Sequence, residues 1–417
     1  MDTTRFLTPQ AARQQKGLGE LDSLVQCGWD LLGEEVALPV ALLSRSALQN
    51  NLRWMRDFSL ASDVSLAPHG KTSMSPELFQ MQLEAGCWGL SLATAQQLVA
   101  ASQSGVSRVM LANQLVGKRN MQLVADQIRE GLECYCFVDC LDNLKTLDGF
   151  FTHQGLSMNV LVEIGVPGGR CGVRRADQAN TLCRAIGQFP SLKLRGLAFY
   201  EGVIHGDPAE QQIAGFVEQN RQLLLELLEQ DYFAPGEVLI SGAGSAWYDL
   251  VVRHLDPATL PGRIRVLLRP GCYLIHDTGI YAEAQQQVRQ RSTLACDIQG
   301  DLISSLTLWA YVQSVPEPGM AVIGMGKRDV AFDAGLPAPV LHHRPGRAAP
   351  VPAQPGWRLV RIMDQHAMLE CGAEADLQVG DMLSFSTSHP CLTMDKWRYL
   401  GIVDDDFRIR QLIQTYF

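Results

Sequence analysis

Eight short apolar runs between residues 64 and 273 constrain the fold of this chain more than any other feature of its sequence. Most runs are followed by a stretch with apolar residues three and four apart, which is typical of an amphipathic helix. A continuous apolar run fits a strand that is buried on both faces, as the strands of a parallel sheet are. The runs occupy residues 64–72, 87–93, 108–114, 133–139, 159–165, 192–200, 237–244 and 263–273.

Strand and helix repeated eight times indicate a (β/α)8 barrel, which takes about 250 residues. An open doubly wound sheet has the same periodicity and is the alternative fold. After residue 285 the runs become short and alternating, from STLACDIQG to GDMLSFS, and Gly, Pro and Asp separate them. This pattern predicts an antiparallel β domain without comparable helices. We therefore predict a barrel over residues 36–285 and a β domain over 286–417, with residues 1–35 packing on either part.

The charge balance favours small molecules as partners. Lys and Arg number 35 against 44 Asp and Glu, and no basic cluster interrupts the net charge of −9. Binding to nucleic acid or to an anionic membrane is therefore not expected. No stretch approaches the roughly 18 apolar residues of a membrane span, and the first residues lack the apolar core of a signal peptide. With eleven scattered cysteines, these features predict a cytoplasmic protein with reduced thiols.

The first apolar run ends in polar residues, at the end of the strand where a barrel enzyme carries its reacting groups. Lys71 is the most informative of them, because a lysine at the inner end of a buried strand loses hydration. Burial lowers the pKa of an amine and frees its lone pair to attack a carbonyl group. The alternative is that the strand ends earlier and that Lys71 is solvated.

The seventh run ends in small residues at 241–246, and the eighth ends in Gly271, Cys272 and Tyr273. The loops after these two strands are the usual phosphate site of a barrel, and small residues let backbone amides approach an anion. A Gly-Ala-Gly sequence also occurs in ordinary turns. A lysine combined with a phosphate site describes pyridoxal 5′-phosphate, which has an aldehyde at one end and a phosphate at the other. Arg170 would then point a cation at the cofactor ring, or else it is a surface arginine.

An imidazole and a thiol lie two residues apart at His389 and Cys391. Such residues share one face of an extended segment, and the two groups together are typical zinc ligands. Pro390 between them indicates a loop or the edge of a sheet. Two ligands are fewer than the three of a catalytic zinc site, so the pair also fits a chance occurrence.

Seven motifs in the same order resemble those of the D-threonine aldolase and D-serine dehydratase family, and they cover nearly the whole chain. They are APHGKTSMSP (67–76), MLANQ (110–114), EIGVPGGRCGV (163–173), GLAFYEG (196–202), SGAGS (241–245), RPGCY (269–273) and SHPC (388–391). The resemblance implies a fold type III pyridoxal-phosphate enzyme with the alanine-racemase-like fold, in which a (β/α)8 barrel is joined to an antiparallel β domain. It also implies a homodimer.

The resemblance implies a role for each matching residue. Lys71 would form the Schiff base with the cofactor beside His69, Arg170 would bond the ring oxygen, and Tyr200 would contact the ring. His389 and Cys391 would bind a divalent metal, which is expected to be zinc, with manganese or magnesium as alternatives. The residues expected to hold the phosphate, largely through backbone amides, are Gly242, Gly244, Ser245, Gly271 and Cys272, with the hydroxyl of Tyr273 adjacent.

The implied reaction is elimination from a 3-hydroxy D-amino acid, namely D-serine, D-threonine or D-threo-3-hydroxyaspartate, to give a 2-oxo acid and ammonia. Cys391 favours this dehydratase or deaminase branch, because the aldolase branch typically has Asp at that position. Two alternatives stay open. One is retro-aldol cleavage to glycine and an aldehyde, and the other is a carrier of the cofactor that catalyses no reaction.

Overall fold

Two sheets organise the part of the chain that the computed structural model describes, which is residues 12–20 and 27–417. One sheet has eight strands and the other has eleven. The strands are β1 Trp29–Asp30, β2 Val40–Ser44, β3 Ser65–Leu66, β4 Leu90–Leu92, β5 Arg108–Gln114, β6 Glu133–Val138, β7 Met158–Ile164, β8 Leu192–Phe199, β9 Val238–Gly242, β10 Ile264–Leu268, β11 Leu306–Glu317, β12 Gly319–Ile323, β13 Pro339–His343, β14 Val351–Pro352, β15 Arg358–Ile362, β16 Ala367–Gly372, β17 Met382–Ser386, β18 Tyr399–Val403 and β19 Arg408–Gln414.

Most of the helices connect strands of the first sheet and pack on its outside. The helices are α1 Arg45–Ala61, α2 Pro76–Glu84, α3 Ala95–Gln103, α4 Lys118–Arg129, α5 Leu141–His153, α6 Ala176–Ile186, α7 Ala209–Glu229, α8 Tyr248–His254, α9 Ile280–Arg291, α10 Thr293–Asp297 and α11 Cys391–Met394. Local signals start several of them. The Ser44 side chain accepts a hydrogen bond from the Ala47 amide at the start of α1, and Thr94 caps α3 in the same way.

The first sheet is the predicted barrel. Its strands are parallel and neighbour one another in the order β3, β10, β9, β8, β7, β6, β5, β4. Between β3 and β4 the amide of Trp88 donates to Leu66 O at 2.8 Å and that of Ser91 to Pro68 O at 2.9 Å, so the sheet nearly closes on itself. The eight apolar runs therefore correspond to eight strands, and the open doubly wound alternative is wrong.

Alternation along the strands divides the barrel core into an inner and an outer layer. On β6, Tyr135 and Phe137 belong to the cluster inside the barrel, together with side chains from the other strands. Cys134 and Cys136, which alternate with them, belong to the larger cluster that the surrounding helices bury. This is the packing of a filled barrel, in which strand residues project alternately inward and outward.

The second sheet is mostly antiparallel, as predicted, and it begins earlier in the chain than residue 286. Strand β2 lies between β18 and β11, and β1 pairs with β19. Ala12 and Leu18 pack in the same apolar cluster as Trp29 and Trp309. The described residues before the barrel thus pack on the second sheet.

One segment of the predicted β domain is a helix instead. The run STLACDIQG contains α10, in which Ser292 accepts a hydrogen bond from the Ala295 amide at 3.2 Å. A serine cap of this kind starts a helix, and it outweighs the short alternation that predicted a strand. Among the described helices, none has the length and apolar character needed to cross a membrane.

The two sheets meet at the segment that follows β10. The Ser305 amide donates to Ile275 O at 2.8 Å, and the Thr278 amide donates to Thr387 O at 3.2 Å. A side-chain pair between Thr387 and Thr393, 2.8 Å apart, fixes the loop between β17 and α11. That loop is therefore held against the end of the last barrel strand.

Candidate active site

A cavity of about 550 Å3 lies where the carboxyl ends of the barrel strands meet the loop after β17. Residues from both sheets line it, although they are far apart in the sequence. The predicted site residues that line this cavity are His69, Lys71, Arg170, Tyr200, Gly244, Ser245, Gly271, Cys272, His389 and Cys391. The structure therefore gathers most of the residues that the motifs singled out into one place.

Lys71 reaches the cavity from a 3₁₀ turn at Gly70–Thr72 and not from a strand. Strand β3 ends at Leu66, and the Lys71 side chain is exposed in the open cavity. Strand β3 thus ends five residues before Lys71, although a bridge between His69 and Ser91 keeps the chain beside β4, and the solvated alternative describes Lys71. The amine is nevertheless directed into the same space as the other site residues.

His69 lies beside Lys71 and is largely enclosed. Its Nδ1 atom is buried and has no hydrogen-bond partner among the described residues. Burial lowers the pKa of His69 well below its ordinary value, and the charges of Lys71, Arg269 and Arg170 lower it further. The ring is therefore a neutral imidazole at neutral pH.

Arg170 lies over the ring of Tyr200, with 4.3 Å between the guanidinium carbon and the ring centroid. This cation–π contact fixes the arginine at the cavity wall, although its turn is exposed. Burial raises the pKa of Tyr200, so its hydroxyl keeps its proton. The pair thus presents a fixed cation and a neutral phenol to the cavity.

The small-residue turn after β9 is held in place by a carboxylate that the sequence analysis did not single out. Glu201 is fully buried, and its side chain accepts hydrogen bonds from the amides of Ala243 at 3.0 Å and Gly244 at 2.8 Å. The amide of Gly244 is therefore occupied, contrary to the expectation that it would hold an anion. Burial raises the pKa of Glu201, while these amides oppose the shift.

Two backbone amides remain available as donors at the turns after β9 and β10. Ser245 Oγ accepts a hydrogen bond from the Cys272 amide at 3.0 Å, which joins the turn after β9 to the turn after β10. Within the described residues, the amides of Ser245 and Gly271 donate to no other protein group. A Cβ atom at Gly271 would lie 2.9 Å from His69 O, so only glycine allows the two backbones to approach this closely.

Gly242 and Tyr273 are the two predicted phosphate contacts that lie outside the cavity lining. Gly242 ends β9, and a Cβ atom there would meet the Phe199 ring at 2.3 Å, so this glycine serves packing. The Tyr273 hydroxyl lies in the core, where it accepts a hydrogen bond from Gln82 Nε2 at 3.3 Å. Neither residue offers a donor to the cavity in this structure.

A buried arginine at the base of the cavity was missed by the sequence analysis. Arg269 begins the RPGCY motif, and it donates to Phe199 O at 2.7 Å and to Ser241 Oγ at 3.0 Å. Burial lowers the pKa of Arg269 to about 10, while the nearby carboxylates of Glu201 and Glu163 raise it. A charged residue directly after a buried strand was the available signal, since parallel strands end at the active face of a barrel.

Glu163 also lines the cavity and was not predicted. The Gln114 side chain donates to it at 2.6 Å and to Asp139 at 3.3 Å. Burial raises the pKa of Glu163. Glu163, Asp139 and Cys171 bring ligand-type atoms within 4.8 Å of one another, but the amides of Gln114 and Gly172 already bond the two carboxylates.

The imidazole and thiol of the SHPC motif form a compact group on the opposite wall. His389 lies in the loop before α11, and its Nδ1 is 2.7 Å from Asp333 Oδ2. Hydrogen bonds to Cys391 and to Asp333 raise the pKa of His389 to about 9, against the effect of burial. Cys391 begins α11, so the two residues share a turn and not the extended segment that the spacing suggested.

Cys391 is in turn 3.5 Å from Cys272 Sγ and 3.4 Å from Thr72 Oγ1. Its hydrogen bonds, first with Cys272 and then with His389, lower the pKa of the Cys391 thiol to about 4, although burial opposes this. The same contact and burial raise the pKa of Cys272. An imidazole and a thiolate are both ligands that a divalent cation can bind when it displaces their protons.

Comparisons with known proteins identify the family. The family described as "Alanine racemase, N-terminal domain" matches residues 43–256, and the chain belongs to it. A second family model, described as "Putative serine dehydratase domain", matches residues 305–403. The family predicted from the seven motifs and the alanine-racemase-like fold are both confirmed.

The individual relatives are distant in sequence. A D-threonine aldolase of Arthrobacter sp is 25% identical over 375 residues, which are 89% of this chain and 90% of the relative. The crystal structure of D-threonine aldolase from Filomicrobium marinum is 22% identical and has a TM-score of 0.75, covering 93% of this chain and 97% of the other. D-threo-3-hydroxyaspartate dehydratase from Delftia sp. HT23 is 20% identical, with a TM-score of 0.71 and coverage of 93% and 99%. The two structures are similar to this chain in fold.

Proposed function

We propose that this chain is a pyridoxal-phosphate- and metal-dependent lyase that converts a 3-hydroxy D-amino acid to a 2-oxo acid and ammonia. One observation carries the proposal, which is that the Lys71 amine and the His389–Cys391 pair line the same cavity. An amine suits an aldehyde cofactor, and an imidazole with a thiolate suits a divalent metal. The two requirements of such a lyase therefore coincide in space.

The residues present fit the cofactor. The buried Nδ1 of His69 has no partner within the described chain, and the amides of Ser245 and Gly271 are also uncommitted. Lys71 would hold the aldehyde end of the cofactor, while Ser245 and Gly271 would hold its phosphate. When bound, pyridoxal 5′-phosphate supplies an electron sink for the charge left when a proton leaves the α-carbon.

The chain itself supplies the proton transfers and the orientation. The Lys71 amine would be the base that takes the α-proton of the substrate. His69 stays neutral because burial and the neighbouring cations lower its pKa, so it adds no further positive charge beside that base. Arg170, fixed over Tyr200, would bond the ring oxygen of the cofactor.

The metal-ligand pair would assist the departure of the hydroxide leaving group. Hydroxide leaves a carbon atom poorly, and a divalent metal at His389 and Cys391 would act as a Lewis acid on the β-hydroxyl. Asp333 orients the imidazole by accepting from Nδ1, which leaves Nε2 for the metal. A solved mutant of a D-threo-3-hydroxyaspartate dehydratase, similar in fold, is described as a metal-free form.

Retro-aldol cleavage is the second candidate, because two of the relatives are named D-threonine aldolase and another is a 3-hydroxy-D-aspartate aldolase. In that reaction the β-hydroxyl of the substrate would lose its proton and the Cα–Cβ bond would break, and a metal held by His389 and Cys391 would supply the Lewis acid. The same cavity could bind the substrate for either reaction. Cys391 favours elimination, because the resembling aldolases typically carry Asp at this position.

Product analysis tests the proposal. The purified holoprotein is incubated separately with D-serine, D-threonine and D-threo-3-hydroxyaspartate, and 2-oxo acid, ammonia, glycine and aldehyde are measured. We expect equal amounts of oxo acid and ammonia without glycine. Glycine with an aldehyde would establish the aldolase reaction instead. If none of the three substrates is converted, a non-catalytic carrier of the cofactor is the remaining interpretation.

Two further properties stay predictions. We expect a homodimer, which light scattering coupled to gel filtration would test. We also expect a cytoplasmic location, which fractionation of the native cells would test.

A further inference from the structure

Two thiols that are 119 positions apart in the sequence lie side by side in the cavity. Cys272 Sγ is 3.5 Å from Cys391 Sγ. Cys272 follows the last barrel strand, whereas Cys391 follows β17 of the second sheet. The contact between the two sheets at Thr278 and Thr387 holds the two segments together, so the approach of the thiols is built into the fold.

The separation of the two sulfur atoms matches that of two ligands of one metal. Two thiolates at 2.3 Å from a tetrahedral zinc ion are about 3.8 Å apart. The observed distance of 3.5 Å lies close to that value and far from the roughly 2.05 Å of a disulfide bond. One zinc ion can therefore span the two sulfur atoms, and the His389 imidazole, which is not within 4.8 Å of both of them, would move toward the ion on binding.

The side chain and the backbone of Cys272 have separate contacts. Its amide donates to Ser245 Oγ at 3.0 Å, which supports the turn where the phosphate is expected. Its thiol instead faces the metal-ligand pair, with Thr72 Oγ1 at 3.7 Å and Cys391 Sγ nearer. The Cys272 amide is therefore occupied, contrary to the expectation that it would hold the phosphate, and the thiol has a separate set of contacts.

We propose that Cys272 is the third protein ligand of the metal, together with His389 and Cys391, in a Cys2His site whose fourth position is open to the substrate hydroxyl. This proposal rests on the proposed function, because it completes the ligand set of the same site. Two protein ligands are too few for a typical catalytic zinc site, whereas three with one open position are its usual arrangement.

A second thiolate also determines which metal the site selects. Thiolates are soft ligands that favour zinc, while magnesium and manganese favour oxygen ligands. The site with Cys272 should therefore bind zinc far more tightly than either harder ion. Without Cys272, this preference should weaken.

X-ray absorption at the zinc edge of the reduced, zinc-loaded protein counts the sulfur neighbours directly. We expect two sulfur atoms in the parent protein, one in Cys272→Ser and one in Cys391→Ser. A chelator competition should show zinc affinity reduced by about 10-fold or more in Cys272→Ser. Cys183→Ala, which removes a buried thiol from α6, is the matched control and should keep two sulfur neighbours.

Cofactor absorbance and circular dichroism establish that each variant is folded, and Cys272→Ala provides a second substitution if the serine is poorly tolerated. One sulfur neighbour in the parent protein, or none in Cys391→Ser, would overturn the assignment of Cys272. Failure of zinc to bind the parent protein would also overturn it. Two sulfur neighbours in a protein that turns over none of the three hydroxy amino acids would refute the proposed reaction and leave the ligand set intact.

Discussion

The barrel mouth and the loop after β17 contribute to one cavity in different ways. At the barrel mouth the groups are spread out, and the exposed Lys71 amine faces the fixed Arg170 and the turns after β9 and β10. In the loop, His389 and Cys391 form a dense group with short contacts that extend to Asp333. The spread-out part is suited to a flat cofactor with a phosphate, and the dense part is suited to one ion. Each part can therefore be disabled separately.

Replacing Lys71 should have the largest effect, and it should impair cofactor binding and catalysis at the barrel mouth without affecting the metal ligands. In Lys71→Ala, the visible absorbance of the cofactor should disappear, and turnover should fall by about 10³-fold or more because the base is lost. Zinc content should stay unchanged. The control is Lys118→Ala, which removes an exposed lysine at the start of α4. A fully active Lys71→Ala variant would refute the proposed chemistry.

Replacing His389 should impair the metal ligands in the loop after β17. In His389→Ala, the cofactor absorbance should persist, while turnover of a 3-hydroxy substrate falls by about 10²-fold or more, since a Lewis acid contributes several kcal/mol. Prolonged chelation of the parent protein should have the same effect, and added zinc should reverse it. His366→Ala, at an exposed histidine in the turn between β15 and β16, serves as control. Chelation without any effect on turnover would contradict the metal's role.

Asp333 tests whether orientation of the imidazole matters. Asp333→Asn removes the carboxylate that lies 2.7 Å from His389 Nδ1, so zinc affinity should fall by about 10- to 100-fold. Cofactor affinity should not change. Asp142→Asn, at an exposed carboxylate of α5, is the control. Equal zinc affinities in all three proteins would show that Asp333 has no part in the site.

Gly244 should give the smallest effect and should again concern the barrel side. A Cβ atom there would lie 2.9 Å from Tyr200 Cε2, so Gly244→Ala must displace the ring. Cofactor affinity should fall by about fivefold, which corresponds to roughly 1 kcal/mol of overpacking. Gly149→Ala, where a Cβ atom meets nothing, should keep that affinity and raise helix stability by about 0.5–1 kcal/mol. Equilibrium titration and thermal unfolding measure the two quantities.

Most of the barrel could be predicted from the sequence because its signals are local. An apolar run followed by a helical period indicates strand and helix without reference to distant residues. The errors are also local. Lys71 was placed on a strand that ends at Leu66, and a serine-capped helix at 293–297 was interpreted as a strand. In both cases the pattern that favours a strand is short, and the adjacent turn or helix cap determines the local structure.

The site was predicted less completely, since several of its contacts join distant parts of the chain. Glu201 follows β8, and nothing in its neighbourhood indicates that it bonds the amides of Ala243 and Gly244. Asp333 lies 56 positions before the histidine that it contacts. Tyr273 shows the reverse error, because adjacency in the sequence suggested a role in the cavity and its hydroxyl lies in the core.

The sequence by itself determined the strand and helix repeat, the family motifs and the residue types available to the site, because these depend on neighbours a few positions apart. The tertiary structure decided which of those residues share the cavity. Closure of the barrel brings the turns after β9 and β10 beside Lys71, and packing of the two sheets brings Cys391 to Cys272. Such distances depend on how whole sheets pack against each other, and no short stretch of sequence contains that information.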